Sequence, residues 1–333
     1  METITLAHGN GGQLTQELIE ELIYHYCGND ILLQKDDAAN LPQVEEQLVT
    51  STDSFVIDPI FFPGGNIGKL AVCGTVNDLA MNGAKPLYLT LGLILEEGLE
   101  IEKLERVIKS VAQTAQQAGV KVVAGDTKVV PQGQGGEIYI NTTGLGVIDS
   151  GITLQDAEIE VGDKIIVNGS LGDHGAAVLA KREGFDVENK LRSDCTLLHS
   201  LVEEMLTYSS EIKLLRDPTR GGVANTLNEI AQYYQVGINL QEKIIPFKQE
   251  VQGIAEILGI DPFYLANEGK LICISTPQQA PQILKIMKDN PVGQGAKIIG
   301  EVTDVKTGVY LKTKFGGTRI LSMLQNQLLP RIC

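Results

Sequence analysis

Apolar positions along the chain follow two rhythms, and the first to appear is helical. Leu14, Leu18, Leu22 and Tyr26 recur at three to four residues, so an amphipathic helix is expected from about Leu14 to Tyr26. A glycine-rich run, His8-Gly9-Asn10-Gly11-Gly12, comes just before it. That run reads either as a plain turn or as a loop whose backbone N–H groups hold phosphate at a helix start. A strand is then expected to end in Leu48-Val49-Thr50-Ser51-Thr52-Asp53-Ser54, followed by the loop Phe61 to Asn66 and a helix from Ile67. From Leu70 to Gly83 this helix is apolar on nearly every side and is expected to be buried. Asp78 lies inside it, where an ionised carboxylate is costly unless paired, so it reads as a ligand or as half of a buried salt bridge.

Strand patterns return at Leu87 to Leu95, Val120 to Ala124 and Glu137 to Ile148, with a helix carrying a charged face between them at Glu100 to Ala118. Asp126 is expected to close the second of these strands. A polar, acidic stretch from Asp149 to Val161 marks a domain boundary, which divides the chain into 1–150, 151–315 and a tail 316–333. The second half begins with a strand, Lys164 to Asn168, then Gly169-Ser170-Leu171-Gly172-Asp173-His174-Gly175 and a helix over Ala176 to Glu183. This imitates a dinucleotide-binding turn, but the order is G-x-x-G-x-x-G and no clean strand with an acidic ribose ligand follows, so that reading is rejected. His174 reads as a structural helix-start histidine or as a general base. Asp217-Pro218-Thr219-Arg220-Gly221-Gly222 caps a helix over Val223 to Tyr234 and presents Arg220 with backbone donors. Glu268 stands in the loop Ala266 to Lys270 before a strand at Leu271 to Ser275, where a solvated carboxylate is the ordinary reading. Gly293 to Ala296 is a turn before a strand at Lys297 to Ile299.

Composition narrows the function. With 333 residues, 43% of them hydrophobic, the chain can bury a full core in two domains. A net charge of −15 argues against nonspecific binding to nucleic acid or to an acidic membrane surface. An anionic ligand would have to be held by backbone and metal. No secretory start and no apolar run of spanning length is visible, so a cytoplasmic location is expected, with no membrane and no nucleic-acid partner. The five cysteines, Cys27, Cys73, Cys195, Cys273 and Cys333, are far apart and form no CxxC, which suggests neither a disulfide framework nor a zinc site. Asp37, Asp53, Asp78 and Asp126 supply hard oxygen ligands without nearby histidine, a set suited to magnesium and to more than one ion.

The chain closes with Leu329-Pro330-Arg331-Ile332-Cys333. Pro330 stops any helix over Ser322 to Leu328. From Thr318 onward the residues span about 50 Å extended or about 22 Å as helix, so the thiol of Cys333 can reach its own domain, a sister subunit or a partner.

Taken together, these blocks resemble the carbamoyl dehydratase family of nickel–iron hydrogenase maturation, within the aminoimidazole ribonucleotide synthetase-like superfamily. The similarity covers essentially the whole chain. It rests on His8 to Gly12, Asp37-Ala38-Ala39, Thr52 to Ser54 through Gly64 to Gly68, Thr75 to Met81, Gly125 to Val129, Gly172 to Gly175, Asp217 to Gly222, Asn267 to Gly269 and Pro330 to Cys333. Thiamine-phosphate kinase and the synthetase itself share the acidic blocks but are not expected to end in this thiol. Selenophosphate synthetase would need a reactive cysteine or selenocysteine near the N-terminal glycine loop, which here carries none.

The resemblance implies an α+β homodimer with two domains per chain, the first domains pairing into a barrel-like sheet with ATP at the interface. It implies that a carbamoyltransferase, HypF, loads Cys333, that ATP and Mg2+ drive dehydration of the carbamoyl group to an S-cyanide (a thiocyanate), and that an iron-carrying HypC–HypD complex receives the cyanide. Residue by residue, it implies catalytic roles for Cys333, Lys128 and Glu268. Gly9, Asn10, Gly11, Gly12, Asp37, Asp53, Asn77, Asp78, Asp126 and Arg220 are the implied nucleotide-binding residues, and the four aspartates the metal ligands. The competing readings are a non-catalytic thiol carrier or scaffold, and an ATP-dependent small-molecule kinase or ligase with an incidental tail.

Overall fold

The computed structural model describes residues 2–152, 154, 157–185 and 190–324. After a 3-10 turn at Leu6–Gly9, helix α1 (Gln13–Leu18) widens into a π-helical stretch over Ile19–Tyr24 and closes as α2 (His25–Cys27). The widening changes which residues face inward. Leu18, Leu22 and Cys27 are buried, while Leu14, expected on that face, is exposed. The five-residue step from Leu22 to Cys27 matches the wider turn.

The first sheet is built from β1 (Gln47–Phe55), β4 (Lys85–Glu96), β5 (Lys121–Val130) and β6 (Ile138–Ile148), with the short hairpin β2 (Phe61–Phe62) and β3 (Gly65–Asn66) beside it. Its order is β1-β6-β4-β5, parallel only between β4 and β5. Helices α3 (Ile67–Met81) and α4 (Ile101–Ala118) cover one face. The Asn66 side chain starts α3 by accepting the N–H groups of Gly68 and Lys69. The helix is apolar all round because it is enclosed by the sheet, by α4 and by the second half of the chain. Gly68 allows the two helices to touch, since a Cβ there would lie 2.4 Å from the Val107 carbonyl oxygen.

Among the described residues, the other face of this sheet carries no helix. Strand register places Thr50, Thr52 and Ser54 of β1 with Leu145, Thr143 and Asn141 of β6, Thr90, Gly92 and Ile94 of β4, and Ala124, Asp126 and Lys128 of β5. Two expectations change as a result. Asp126 does not close its strand, because β5 runs on to Val130, and Asp53 likewise sits within β1. Since side chains alternate faces, Asp53 points to the helix-covered side and Asp126 to the open one.

The second half folds around a seven-stranded sheet. In chain order come β7 (Lys164–Val167), α5 (Asp173–Arg182), α6 (His199–Tyr208), β8 (Ile212–Arg216), α7 (Gly222–Tyr234), β9 (Gly237–Gln241) and α8 (Gln249–Leu258). Then follow β10 (Ile272–Ser275), α9 (Ala280–Asp289), β11 (Lys297–Thr303), β12 (Gly308–Lys312) and β13 (Thr318–Leu321). The order is β13-β12-β9-β11-β7-β10-β8. Ile165, Val167, Ile272 and Ile274 face a core with α7, and Ile166 and Cys273 face another with α6 and α9. Burial on both faces explains why Ile165 to Val167 and Ile272 to Ile274 are apolar at every position.

β13 also moves the expected start of the tail. Thr318 to Leu321 pair with β12 rather than beginning a free arm. Leu321 is buried, and its carbonyl accepts a hydrogen bond from Asn228 at 2.8 Å. The Leu324 N–H donates to Asn225 Oδ1 at 3.0 Å. Nine residues remain from Gln325 to Cys333, with a fully extended reach of about 30 Å. Cys333 itself, Pro330 and most of the stretch considered for a helix lie outside the described residues.

Candidate active site

Four elements from both halves converge on one small cavity. Asp53 reaches it from β1 and Asp78 from α3, and Gly74, one turn before Asp78, leaves room for the Phe55 ring, which a Cβ would meet at 2.8 Å. Ser51, two residues before Asp53 on the same strand face, donates from Oγ to Asp78 Oδ2 at 2.7 Å. From the second half, the turn after β8 brings in Asp217, Thr219 and Arg220, and the loop before β10 brings in Glu268. Gly222, at φ +60°, is required in that turn, because a Cβ would lie 2.6 Å from the carbonyl oxygens of Leu265 and Phe263. Asn267 fastens the two loops together: its Nδ2 donates to the Pro218 carbonyl at 2.8 Å and its Oδ1 accepts the Gly172 N–H at 2.7 Å.

The electrostatics of this cavity are those of acids short of a cation. Burial pushes the Asp78 carboxyl above its usual range, and Asp53 adds repulsion, against the lowering pull of the Ser51 hydrogen bond and Arg216. Burial, together with Asp78 and Asp53, pushes Asp217 up to about 7. Glu268 is buried, its Oε1 has no hydrogen-bond partner among the described residues, and burial followed by the neighbouring Cys195, Asp217, Asp194 and Asp53 holds its carboxyl well above the ordinary range. Cys195 is kept protonated chiefly by a hydrogen bond with Cys73 and then by burial. Among the described residues no three carboxylates, imidazoles or thiols close on one point as a metal cage would. The donor set fits magnesium, which takes one or two protein carboxylates and fills its shell with phosphate oxygens and water.

Gly9, Gly11, Asp37, Asp126 and Lys128 border a different cavity, of about 300 Å³, together with Lys35 and Asp36. Its floor is apolar, formed by Leu32, Leu91, Leu93 and Val122. Gly9 is a packing requirement, since a Cβ would lie 2.8 Å from the Val129 nitrogen, whereas Gly11 faces open space. Asn10 and Gly12 do not line this cavity. Lys128 Nζ pairs with Asp126 Oδ1 at 2.7 Å, both side chains largely exposed.

The structure therefore divides the four aspartates. Asp53 and Asp78 meet at one cavity with Arg220 and Glu268, while Asp37 and Asp126 line the other with Lys128. The edge strands β1 and β5 are three strand spacings apart, about 14 Å, and the Asp53 and Asp126 side chains leave opposite faces of the sheet. Lys128 and Glu268 accordingly do not meet within one chain. Asn77, expected to bind nucleotide, is buried, and its amide is engaged with the Thr196 carbonyl at 2.9 Å and the Leu198 N–H at 2.8 Å. It ties the two halves together instead. Asp78 makes no ion pair among the described residues, so the salt-bridge alternative is not realised there. His174 is fully buried, with Nδ1 2.8 Å from Ser193 Oγ and its ring edge-on to Phe62, which is the structural role. Asp217 was not foreseen as a site residue. Its signal was an acid following an apolar strand and preceding Pro-Thr-Arg-Gly-Gly, which serves a turn as readily as a ligand.

Comparison with known proteins agrees with this architecture. Residues 35–148 match the family model of the AIR synthase related protein, N-terminal domain, and residues 160–312 that of the C-terminal domain. The carbamoyl dehydratase HypE of Azotobacter vinelandii is 47% identical over 332 residues, covering 99% of this chain and 97% of that protein. HypE of Escherichia coli is 44% identical over 338 residues, covering 100% of both. A crystal structure of the hydrogenase maturation protein HypE in complex with ATP superposes with a TM-score of 0.94 at 44% identity, covering 99% of this chain and 100% of that one. HypE from a HypE–HypF complex gives 0.79 at 44% identity, covering 92% and 99%. A thiamine-monophosphate kinase from Stenotrophomonas maltophilia, at 22% identity and a TM-score of 0.67 over 88% of this chain and 95% of that one, shares the fold alone. With its sequence matched from end to end and its two α+β domains in the same arrangement, the chain belongs to the HypE family of carbamoyl dehydratases, built on the AIR synthase fold.

Proposed function

We propose that this protein uses ATP to dehydrate a carbamoyl group held on the sulfur of its own Cys333, and that the resulting S-cyanide supplies the cyanide ligand of hydrogenase iron. The observation that carries the reading is Glu268: a buried carboxyl with an unpartnered oxygen, aimed among Asp53, Asp78 and Asp217 where a phosphorylated group would sit. The carbamoyl oxygen attacks the γ-phosphorus of ATP and ADP leaves. One of the two nitrogen protons is lost to solvent as the O-phosphorylated imidate forms; Glu268 then takes the second, the C–O bond breaks with departure of phosphate, and the C≡N bond forms. Phosphorylation is needed because an amide oxygen is a poor leaving group. A carboxylate whose proton affinity has been raised by burial is a suitable base for that nitrogen.

Asp53, Asp78 and Asp217 would hold Mg2+, which supplies charge neutralisation at the phosphates. Arg220 faces the same cavity and complements phosphate oxygens. Lys128 and Asp126 point from β5 to the open sheet face, with Asp37 lining the cavity beside them. Pairing of that face with a second copy, closing the two sheets into a barrel, would bring one chain's Lys128 cavity toward its partner's Glu268. A homodimer, loading by HypF and delivery to a HypC–HypD complex complete the proposal; the HypE–HypF complex supports the HypF step and the uncovered sheet face supports the homodimer. The nine residues from Gln325 are long enough to carry the sulfur from β13 to a site within about 30 Å.

The test is an intact-mass measurement on carbamoylated protein with and without ATP. Loss of one water from the Cys333 peptide, only with ATP, is the expected result. ATP turnover without any change at Cys333 would transfer the chain to the small-molecule kinases of this fold. No turnover and no mass change would leave a thiol carrier.

A further inference from the structure

The proposed proton relay sits on a peptide that one neighbouring segment grips from both ends. Asp194 Oδ1 accepts the Glu268 N–H at 3.2 Å, and the Glu268 carbonyl accepts the Thr196 N–H at 3.4 Å. The second oxygen of Asp194 accepts from Lys270 Nζ at 3.0 Å. Both members of that ion pair are buried, at 3% and 10% exposure. One carboxylate thus holds the chain on either side of Gly269. Gly269 has no alternative, because a Cβ there would lie 1.9 Å from the Asp194 carbonyl oxygen.

The gripping segment is in turn pinned to the first half of the chain. The Ser193 N–H donates to the Pro63 carbonyl at 2.7 Å, and Asn77 holds both the Thr196 carbonyl and the Leu198 N–H. Asn77 immediately precedes Asp78 on α3. The two sides of the cavity, the acid facing phosphate and the acid facing nitrogen, are therefore connected through residues 193–198 by hydrogen bonds that cross between the halves.

A buried ion pair is a poor choice for stability alone, because desolvating both charges offsets their attraction and apolar packing does as well or better. Here the pair does something packing cannot: it holds the Glu268 N–H through Asp194 and the Gly269 carbonyl, 3.3 Å from Lys270 Nζ, at directed distances. We infer that Asp194 is a positioning residue of the dehydration step, setting where the Glu268 carboxyl stands relative to the phosphate-facing Asp78 across the junction of the two halves. The inference rests on the reading of Glu268 as the proton acceptor. Burial pushes the Asp194 carboxyl up, but Lys270 and His174 together hold it below the usual range, so it is ionised when it makes these bonds.

Removing Asp194 alone leaves Lys270 buried and unpaired, so the test uses two variants. Asp194→Ala with Lys270→Met removes both charges at once, and Asp194→Asn keeps shape and one acceptor. Full-length carbamoylated protein is followed by mass spectrometry in single turnovers, with ATP affinity and the ATP KM measured on the same samples. A reacting group displaced by about 1 Å costs on the order of 10²-fold in rate. The double variant is expected to lose about that much, and Asp194→Asn about tenfold, with ATP affinity and KM within about twofold of wild type. Wild-type dehydration in either folded variant overturns the inference. So does a loss of ATP affinity equal to the loss of rate, which is what a purely structural role produces. Glu268→Gln runs alongside: wild-type dehydration there overturns the reading of Glu268, whereas an inactive Glu268→Gln beside a fully active Asp194 variant overturns only the positioning role.

Discussion

Two groups of acids in this chain behave in opposite ways. Asp53, Asp78, Asp217 and Glu268 are drawn from four separate elements into one cavity, where burial and the neighbouring acids raise the proton affinity of Asp78, Asp217 and Glu268. Asp126, on the open face of the sheet, is exposed and already paired with Lys128 two residues along the same strand. The first group is a site in waiting for cations; the second, taken alone, is a solvent-screened surface pair of small energetic weight. An acid at a promising place in the sequence is therefore not a ligand until its solvent exposure is known. The open face also shows that the second group need not be judged within a single chain.

The sharpest break in this comparison is chemical. Cys333→Ala is expected to abolish S-cyanide formation while ATP binding and folding stay near wild type, as intact mass, calorimetry and thermal melting would show together. Formation of S-cyanide on any other cysteine removes the tail from the mechanism.

Next comes the question of whether the two acidic regions act in one site. Glu268→Gln and Lys128→Ala, each alone, are expected to accept the carbamoyl group and to dehydrate it at least about 10²-fold more slowly. Mixed in equal amounts so that chains exchange, they should recover about a quarter of wild-type activity, because half of randomly paired dimers then carry one intact shared site. No recovery after verified exchange would mean that Lys128 and Glu268 serve the same chain's site, contrary to their separation here.

A smaller effect separates ligand from scaffold at Asp78. Asp78→Asn should weaken magnesium–ATP binding by about tenfold, on the order of 1.4 kcal/mol, while ATP without metal is bound almost as before. Equal losses in paired titrations would assign Asp78 to the fold.

The smallest effect is on stability without ligands. The Asp217 carboxyl is raised from 3.8 to about 7 in the folded chain. The folded state therefore holds that proton more tightly than the unfolded state. The stability this confers is full below pH 3.8 and is lost as pH rises through about 7. Asp217→Asn should accordingly melt above wild type at pH 8, by on the order of 1 kcal/mol in stability, and close to it at pH 4. Saturating magnesium and ATP should reverse the order at pH 8. Calorimetric melts at the two pH values decide it, and a wild-type advantage at pH 8 without ligand would show that Asp217 already has a cationic partner.

Much of the architecture was legible because periodicity reports burial. The nearly all-round apolar character of Leu70 to Gly83 announced an enclosed helix, and the runs Ile165-Ile166-Val167 and Ile272-Cys273-Ile274 announced strands, which the fold covers on both sides. The stretch from Leu14 misled slightly, since one π-helical turn rotates the inward face and sends Leu14 to solvent. The strand Thr318 to Leu321 was hidden for a different reason. Three of its four side chains are exposed at the edge of the sheet, so its sequence carries little of the apolar signal that marks a central strand.

The site shows the same limit more sharply. The chain's own order supplied the acids, Arg220, Glu268 and the glycines that tight turns demand, because those are properties of single residues and their immediate neighbours. Which acids share a cavity depended on strand register and alternation: one step along β1 or β5 decides the face, and Asp53 and Asp126 fall on opposite ones. That Asn77 is a clamp, that Asp217 belongs with Asp78, and that Asp194 holds the peptide of Glu268 were decided only by folding. Each rests on contacts between residues more than seventy positions apart, and the energies that select them arise from burial and directed hydrogen bonds that no local pattern contains.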